Sequence, residues 1–225
     1  MAIDGPSASG KSTLARMLAR HLGLPMVDSG LMYRAITVLA NQAGIDPGDH
    51  EALGKLARRT AIEVNTSPDE KPPWLVRVDG RDLTADVFDP AIAPALMRVS
   101  QVAAVRGALV AQQRDLAPGG VVMVGRDIGT VVFRGADLKL FITASEKERQ
   151  RRRAGQMRDD NHALLKREIA DRDAADSGRT LAPLRPADDA HTINTDGRSP
   201  KDVFDEILRL IPRSPPGNPD PPGLA

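Results

Sequence analysis

The chain opens with a glycine-rich segment, Gly5-Pro-Ser-Ala-Ser-Gly10-Lys11-Ser12-Thr13, that matches the phosphate-loop pattern G-x-x-x-x-G-K-S. Met1–Ile3 can supply the buried strand that leads into such a loop, and leucines at helical spacing follow it until Gly23. Backbone N–H groups of the loop can wrap a phosphate chain, and the helix that follows points its positive end at the same anion. The segment therefore predicts binding of a nucleoside triphosphate.

Each residue type in this segment has an expected role. Lys11 is expected to reach the terminal phosphates, and the Ser12 hydroxyl is expected to bind Mg²⁺. A chance match would be a Gly/Ser-rich surface turn, but the strand before the loop and the helix after it favour the phosphate loop. The predicted ATP-binding residues are Gly5, Pro6, Ser7, Ala8, Ser9, Gly10, Lys11, Ser12 and Thr13.

Composition narrows the class of protein. The 225 residues include 31 Lys and Arg against 30 Asp and Glu, which argues against a protein that mainly coats nucleic acid. The absence of cysteine excludes disulfides and cysteine metal sites. No apolar run approaches the roughly 18 residues of a membrane span, and we expect no signal peptide, because none is visible before the predicted first strand. We expect a cytoplasmic, monomeric enzyme that binds neither membrane nor nucleic acid.

The order of apolar runs predicts an α/β fold. Helical patterns separate five short apolar runs, as in a parallel sheet with crossover helices. We therefore predict a five-stranded parallel sheet flanked by helices. The predicted strands are Met1–Asp4, Pro25–Asp28, Val121–Gly125, Leu138–Thr143 and Ala190–Asn194.

One stretch interrupts this alternation. Ala61–Asn65, Trp74–Val78 and Arg81–Leu83 look like short antiparallel strands, and Asp79-Gly80 is a strong hairpin signal. Residues of about 60–86 are therefore predicted to be a small β insertion.

The starts of several helices are also visible in the sequence. Asp89-Pro90 predicts a capped helix start, Ser145–Glu148 a capping box, and Ser199-Pro200 the start of the last helix. That helix is expected to bury Val203, Ile207, Leu210 and Ile211 and to end at Pro212. Six prolines in the last 14 residues predict a disordered tail over 214–225, after a domain spanning 1–213.

Two further segments suggest a second, anionic substrate. Val27–Arg34 passes from a strand into a helix, so that backbone N–H groups, a Ser hydroxyl and Arg34 can meet a phosphate. Gly125–Thr130 follows the third strand, at the carboxyl edge where such sheets bind ligands. Alone, Arg34 could be a surface residue and Arg126-Asp127 a local salt bridge. Together with the phosphate loop, the two segments favour one shared pocket.

These residues resemble the bacterial cytidylate kinases, P-loop kinases that move a phosphoryl group from ATP to CMP or dCMP in pyrimidine nucleotide metabolism. The resemblance runs nearly end to end. It rests on the phosphate loop, Asp28–Arg34, Ser100-Gln-Val-Ala103, Gly125–Thr130, and Arg172-Asp-x-x-Asp176-x-x-Arg179 followed by Ala182-Pro-Leu184. In this chain the segment between Ala103 and Arg106 is shorter than is usual in that family.

The resemblance implies roles for individual residues. Arg34, Arg126 and Arg179 are expected on the acceptor phosphate, Ser100, Arg106 and Asp127 on cytosine, and Arg172 and Asp176 on the ribose. Ser29 and Tyr33 are expected beside the same acceptor. The resemblance also implies a P-loop kinase fold, with the β insertion in the monophosphate-binding region and Mg²⁺ accompanying ATP.

A basic segment follows the fourth predicted strand. On a helix, Arg149, Arg152 and Arg153 share one broad face. The segment could be a helix whose arginines point to solvent, and this is what we expect for Arg151. It could also be a nucleic-acid surface, but an aromatic content of 3% disfavours that interpretation. The resemblance favours a helical lid over about 148–180, with Arg149 on ATP and Arg153 joining Lys11, Arg126 and Arg179 in catalysis.

Two alternatives remain at this point. Another small-acceptor kinase with a phosphate loop, acting on UMP or shikimate, would share the loop. A nucleotide-switch protein would share it too, but the chain has no Asn-Lys-x-Asp string for reading guanine.

Overall fold

The computed structural model of the protein describes residues 1–66, 74–156, 170, 173–179 and 181–211. The chain divides into two compact units, one formed by Met1–Leu24 with the residues from Val122 onward, the other by Pro25–Val121. The predicted tail and the end of the predicted 1–213 domain lie outside the described residues. None of the described helices has the length and apolar character needed to cross a bilayer.

The described residues form two sheets. The strands are β1 (Ala2–Asp4), β2 (Met26–Asp28), β3 (Ile62–Thr66), β4 (Trp74–Val78), β5 (Arg81–Asp82), β6 (Val122–Gly125), β7 (Lys139–Thr143) and β8 (His191–Asn194). The main sheet has the order β2-β6-β1-β7-β8, and the small one the order β3-β4-β5. Each of the five main strands lies within one residue of its predicted bounds, which confirms the predicted α/β class.

Eight α-helices are described. They are α1 (Lys11–Leu22), α2 (Ser29–Gln42), α3 (His50–Arg59), α4 (Thr84–Val87), α5 (Ala93–Val99), α6 (Ala103–Asp115), α7 (Glu146–Gln156) and α8 (Pro200–Leu208). Residues 173–177 add a helical turn, Pro90–Ile92 a 3₁₀ turn, and Ile128–Val132 a π-helical turn.

The parallel strands of the first unit form its core. The side chains of Ile3, Met123, Leu140 and Ile142 are fully buried. In the parallel register, Asp4 lies beside Gly125 on one side and Phe141 on the other. Because β1 and β6 run in the same direction, the phosphate loop and the segment after Gly125 leave the sheet at the same edge.

The second unit contains the predicted β insertion. β4 pairs antiparallel with β3 and β5, and the hairpin residues Asp79 and Gly80 both have positive φ, 49° and 80°. This geometry confirms the Asp-Gly hairpin, because the tight turn needs two left-handed residues. Elsewhere in the unit, α3 packs on α6 so closely that a Cβ at Gly54 would lie 2.6 Å from the Cβ of Ala104.

Two predicted helix ends are corrected. Glu148 N–H donates to Ser145 Oγ at 3.3 Å, but the Ser145 N–H donates to the Asp196 carboxylate at 2.8 Å, so only half of the predicted capping box forms. α8 has the expected Ser199 cap, with Asp202 completing a full capping box, and it ends at Leu208 rather than at Pro212. Pro212 itself lies outside the described residues.

Candidate active site

The phosphate loop connects β1 directly to α1. Gly5, Ala8 and Gly10 have positive φ values of 145°, 58° and 95°, which let the backbone turn tightly between the strand and the helix. A Cβ at Gly5 would lie 2.0 Å from the Ile142 carbonyl oxygen, so only glycine fits there. Together these features give the loop the inward curve that a bound phosphate chain needs.

Lys11 provides the positive charge of the loop. Its side chain is buried, and its Nζ lies 2.5 Å from the Pro6 carbonyl oxygen and 3.4 Å from Ser9 Oγ. Since Lys11 is also the first residue of a 12-residue helix, its ammonium lies near the positive end of the helix dipole. The loop therefore encloses a cation where an anion can be bound.

Arg152 and Thr195 contact the phosphate loop at the Ser9 carbonyl. Arg152 Nη1 donates to the Ser9 carbonyl at 3.2 Å and to Thr195 Oγ1 at 2.9 Å, and its Nη2 donates to the Thr195 carbonyl at 2.8 Å. Thr195 Oγ1 lies 3.1 Å from the Ser9 carbonyl oxygen, to which it can donate. Sequence reasoning placed Arg152 on the basic face but gave it no role, and it missed Thr195, whose only signal is its position just after β8.

The remaining arginines of α7 differ in exposure. Arg149 is buried, and its guanidinium donates to the carbonyls of Ala144 at 3.1 Å and Ser7 at 3.4 Å and pairs with Asp173 at 2.5 Å. Arg153 is half-buried on the same helix. Arg151 points to solvent with 73% of its side chain exposed, as expected. Its hydrogen bond is the main reason that the pKa of Glu148 falls to about 2.

A cavity of about 480 Å³ adjoins the loop within the first unit. Ser9, Gly10 and Thr13 line it from the loop side, α7 contributes Arg152, and the chain around Pro200 closes the far wall. Its volume falls in the range of small-ligand sites, roughly 300–1,000 Å³. A ligand there would lie directly against the backbone of the phosphate loop.

A second charged cluster in the first unit surrounds Asp176. Its carboxylate pairs with Arg126 Nε at 2.6 Å and with Arg179 Nη2. Asp176 is buried, and two guanidinium groups face this one carboxylate, so the cluster keeps an excess of positive charge. Three of the residues predicted to bind the acceptor thus meet, whereas Arg172 lies outside the described residues.

Asp4 and Asp127 are buried near each other in the same unit. Asp4 accepts hydrogen bonds from the backbone N–H groups of Ile128 and Gly129, at 2.8 and 2.7 Å. Burial is the main cause that raises the pKa of Asp4 to about 6, and the negative charge of Asp127 adds to it. Sequence reasoning missed Asp4, although its signal was a carboxylate at the end of a core strand, directly before the loop.

The second unit gathers other predicted acceptor residues. Arg106 is buried, donates to the Ser100 carbonyl at 3.3 Å, and has its guanidinium carbon 5.6 Å from the centre of the Tyr33 ring. Ser29, the first residue of α2, is also buried. Arg34, one turn later, donates to the Val87 carbonyl at 2.8 Å.

Comparison with known proteins identifies relatives of the whole described region. A family model described as cytidylate kinase matches residues 1–213. A cytidylate kinase of Pelotomaculum thermopropionicum is 44% identical over 94% of this chain and 95% of its own length. A bifunctional pantoate ligase/cytidylate kinase of Gloeobacter violaceus is 45% identical over 93% of this chain, but this chain spans only 42% of that relative.

A solved structure gives a comparison of the fold alone. The crystal structure of an uncharacterized protein from Eubacterium ventriosum matches 93% of this chain and 96% of its own with a TM-score of 0.51. The two sequences are 14% identical, so the likeness concerns only the course of the chain.

Proposed function

Because this chain belongs to the cytidylate kinase family, we propose that it transfers the γ-phosphoryl group of ATP to CMP or dCMP, giving CDP or dCDP. The observation that carries the proposal is the buried Lys11 ammonium enclosed by the phosphate loop. A cation held in that position neutralises charge on a transferring phosphoryl group. The predicted cytoplasmic location, monomeric state and lack of nucleic-acid or membrane partners stay predictions.

The donor nucleotide would occupy the loop and the cavity beside it. The loop residues 5–13 would bind the phosphates, and the nucleoside would extend from Ser9 and Gly10 into the cavity. Arg149 would add charge over the phosphates, and Arg153 would join it in the proposed lid over 148–180. Closure of such a lid excludes water, which favours transfer to the acceptor over hydrolysis of ATP.

The acceptor nucleotide would be bound mainly by arginines and by the carboxylate that pairs with two of them. Arg126 and Arg179, with Arg34, would bind the acceptor phosphate through directional, charge-assisted hydrogen bonds. Asp176 and Arg172 would hold the sugar. The pairing of Asp176 with two arginines supports this assignment, because one carboxylate orients both guanidinium groups and cancels only part of their charge.

Cytosine recognition would fall to Asp127, Ser100 and Arg106. The base presents an N4 amino donor beside the N3 and O2 acceptors, so it needs one acceptor group and several donors. Asp127 would accept from the amino group, while Ser100 and Arg106 would donate, and Ser29 and Tyr33 would complete the wall. Uracil carries a carbonyl in place of the amino group and would face the carboxylate acceptor to acceptor.

The residues present fit Mg²⁺. The Ser12 hydroxyl follows the loop lysine, and a hydroxyl oxygen with phosphate oxygens is the ligand set that this hard cation prefers. Bound there, Mg²⁺ would neutralise charge on the donor phosphates. The protein itself needs no strong base, because the attacking group is already an anionic phosphate oxygen. Lys11 and the arginines would supply alignment and positive charge.

The direct test measures ADP release in a coupled assay with ATP and Mg²⁺ across CMP, dCMP, UMP, AMP and shikimate. We expect the highest kcat/KM with CMP and dCMP. Lys55→Ala should keep this preference, since Lys55 is an exposed lysine paired only with Glu51 on the surface of α3 in the described contacts. A preference for shikimate or UMP, or release that does not depend on any acceptor, would contradict the proposal.

A further inference from the structure

Asp4 makes a contact that joins two distant parts of the chain. Its Oδ1 accepts from the Ile128 N–H and its Oδ2 from the Gly129 N–H, at 2.8 and 2.7 Å across 124 and 125 residues. These N–H groups open the π-helical turn Ile128–Val132, immediately after Arg126 and Asp127. One carboxylate therefore fixes the start of the segment that would bind the acceptor.

Each carboxylate oxygen of Asp4 accepts one of the two backbone N–H groups. A Cβ added at Gly129 would lie 3.3 Å from Asp4 Oδ2 and equally close to the stem of Lys139, so the segment approaches Asp4 closely. Asp4 is 4% exposed, and water has little access to compete for these bonds. Loss of either acceptor would leave a buried N–H unmatched, which is costly.

The charged neighbours of Asp4 come from three elements. Asp127 precedes the π-helical turn and repels its negative charge, and Lys11 at the start of α1 attracts it. Lys139 of β7 contributes its stem near Gly129, whereas its ammonium is bound by Asp189 at 2.7 Å and the Arg134 carbonyl. The adjoining strand β6, Val122–Gly125, has no titratable side chain.

We propose that Asp4 is a positioning residue of the acceptor site, which holds Arg126 and Asp127 in place by binding the backbone of Ile128 and Gly129. The proposal rests on the proposed function for the identity of the acceptor. Asp4 acts through these residues and need not touch either nucleotide. Its ionised form accepts both N–H groups, whereas protonation turns one of its oxygens into a hydroxyl, which is a poorer acceptor.

Asp4→Asn removes one of the two acceptors at constant size. In either orientation the amide nitrogen, which cannot accept a hydrogen bond, faces one of the two backbone donors. At pH 8 we expect kcat/KM for CMP to fall about tenfold, while the dissociation constant of ATP changes less than twofold. Asp205→Asn, which removes an exposed carboxylate paired with Lys201, should leave both unchanged.

The pH dependence separates positioning from a general structural defect. The acceptor phosphate itself titrates near pH 6, as phosphate monoesters do, so the informative quantity is the ratio of variant to wild-type kcat/KM. Burial raises the pKa of Asp4 to about 6. We therefore expect the ratio to rise towards one as the pH falls from 8 to 5. A flat ratio, or equal losses in ATP and CMP binding, overturns the proposal.

A double-mutant cycle tests whether Asp4 acts through Arg126. Asp4→Asn should cost about tenfold in the wild-type background but clearly less after Arg126→Ala, because one of the two residues that it positions is already gone. Full additivity of the two losses overturns the proposal. If Arg126→Ala leaves activity on CMP unchanged, the acceptor assignment under the proposed function fails instead.

A second measurement uses the wild-type protein, so it does not depend on whether the Asp4→Asn variant folds. The amide resonances of Ile128 and Gly129 in the wild-type protein can be followed by NMR between pH 5 and 8. A shared midpoint near pH 6 supports the contact and its titration, and resonances that do not titrate overturn them. This readout remains decisive even if the wild-type protein has no kinase activity towards CMP.

Discussion

The Thr195 hydroxyl lies 3.1 Å from the carbonyl oxygen of Ser9, so that the residue following the last strand supports the phosphate loop across 186 positions of sequence. The same hydroxyl lies 3.2 Å from the Thr143 carbonyl oxygen and accepts from Arg152 Nη1 at 2.9 Å. Thr195 is buried, so these groups are shielded from water. The curvature of the loop therefore depends on a tertiary contact as well as on its glycines.

Thr195→Val tests this support directly. Valine keeps the shape of threonine but removes the hydroxyl, and each buried hydrogen bond left unmade costs about 1–3 kcal/mol. We expect the free energy of unfolding to fall by about that amount and the affinity for ATP to weaken several-fold. Urea unfolding and calorimetric titration measure the two effects. Thr192→Val, at an exposed position of β8, the strand that precedes Thr195, is the matched control and should change neither.

Lys11→Ala should lower kcat by about a hundredfold or more. The Lys11 ammonium is buried within the loop, and a desolvated cation at a transferring phosphoryl group contributes several kcal/mol to the transition state. Steady-state assays with CMP measure the loss, and Lys55→Ala serves as the exposed control. Turnover close to that of the wild type would refute the assignment of the phosphate loop.

Asp127→Ala should weaken the preference for cytosine over uracil. If the buried Asp127 carboxylate accepts from the cytosine amino group, its removal leaves that donor unmatched and relieves the repulsion of uracil. The ratio of kcat/KM for CMP to that for UMP should then narrow by about tenfold, with little change in ATP affinity. Equal losses for CMP and UMP would instead mean that Asp127 orients its neighbours and does not read the base.

Asp176→Ala should weaken all nucleoside monophosphates. Arg126 and Arg179 would lose the carboxylate that orients both of them. If Asp176 also binds the 2′-hydroxyl, CMP should lose more than dCMP. Measured KM values for CMP, dCMP and UMP give the comparison. Unchanged KM values for all three would remove Asp176 from the acceptor site.

The stability of the protein should depend on Asp4 in a defined direction. Its pKa is about 6 in the folded protein against 3.8 in an unfolded chain, so its contribution to stability is greatest below 3.8 and is lost as the pH rises through 6. That difference corresponds to about 3 kcal/mol. Relative to Asp4→Asn, which cannot titrate, the wild type should lose up to that amount of unfolding free energy between pH 4 and 7. Urea titrations of both proteins across this range check the sign, and a constant difference would show that Asp4 does not titrate as described.

The sequence alone determined the elements that depend on local pattern. The five parallel strands, the Asp79-Gly80 hairpin and the end of α1 at Gly23 follow from short apolar runs, left-handed turn residues and helical spacing. The phosphate loop was equally clear, because its chemistry requires adjacent residues in a fixed order. These features need no knowledge of what packs against them.

Tertiary structure decided which polar groups meet. Ser145 appeared to start a complete capping box, but the Asp196 carboxylate takes its N–H, while Glu148 pairs with Arg151 and Arg152. Arg152 contacts the loop through the Ser9 carbonyl, and Asp4 binds the N–H groups of Ile128 and Gly129. Strand order and register determine the partner of a buried charge, because they bring distant residues to one edge of the sheet. A local sequence pattern does not reveal that proximity.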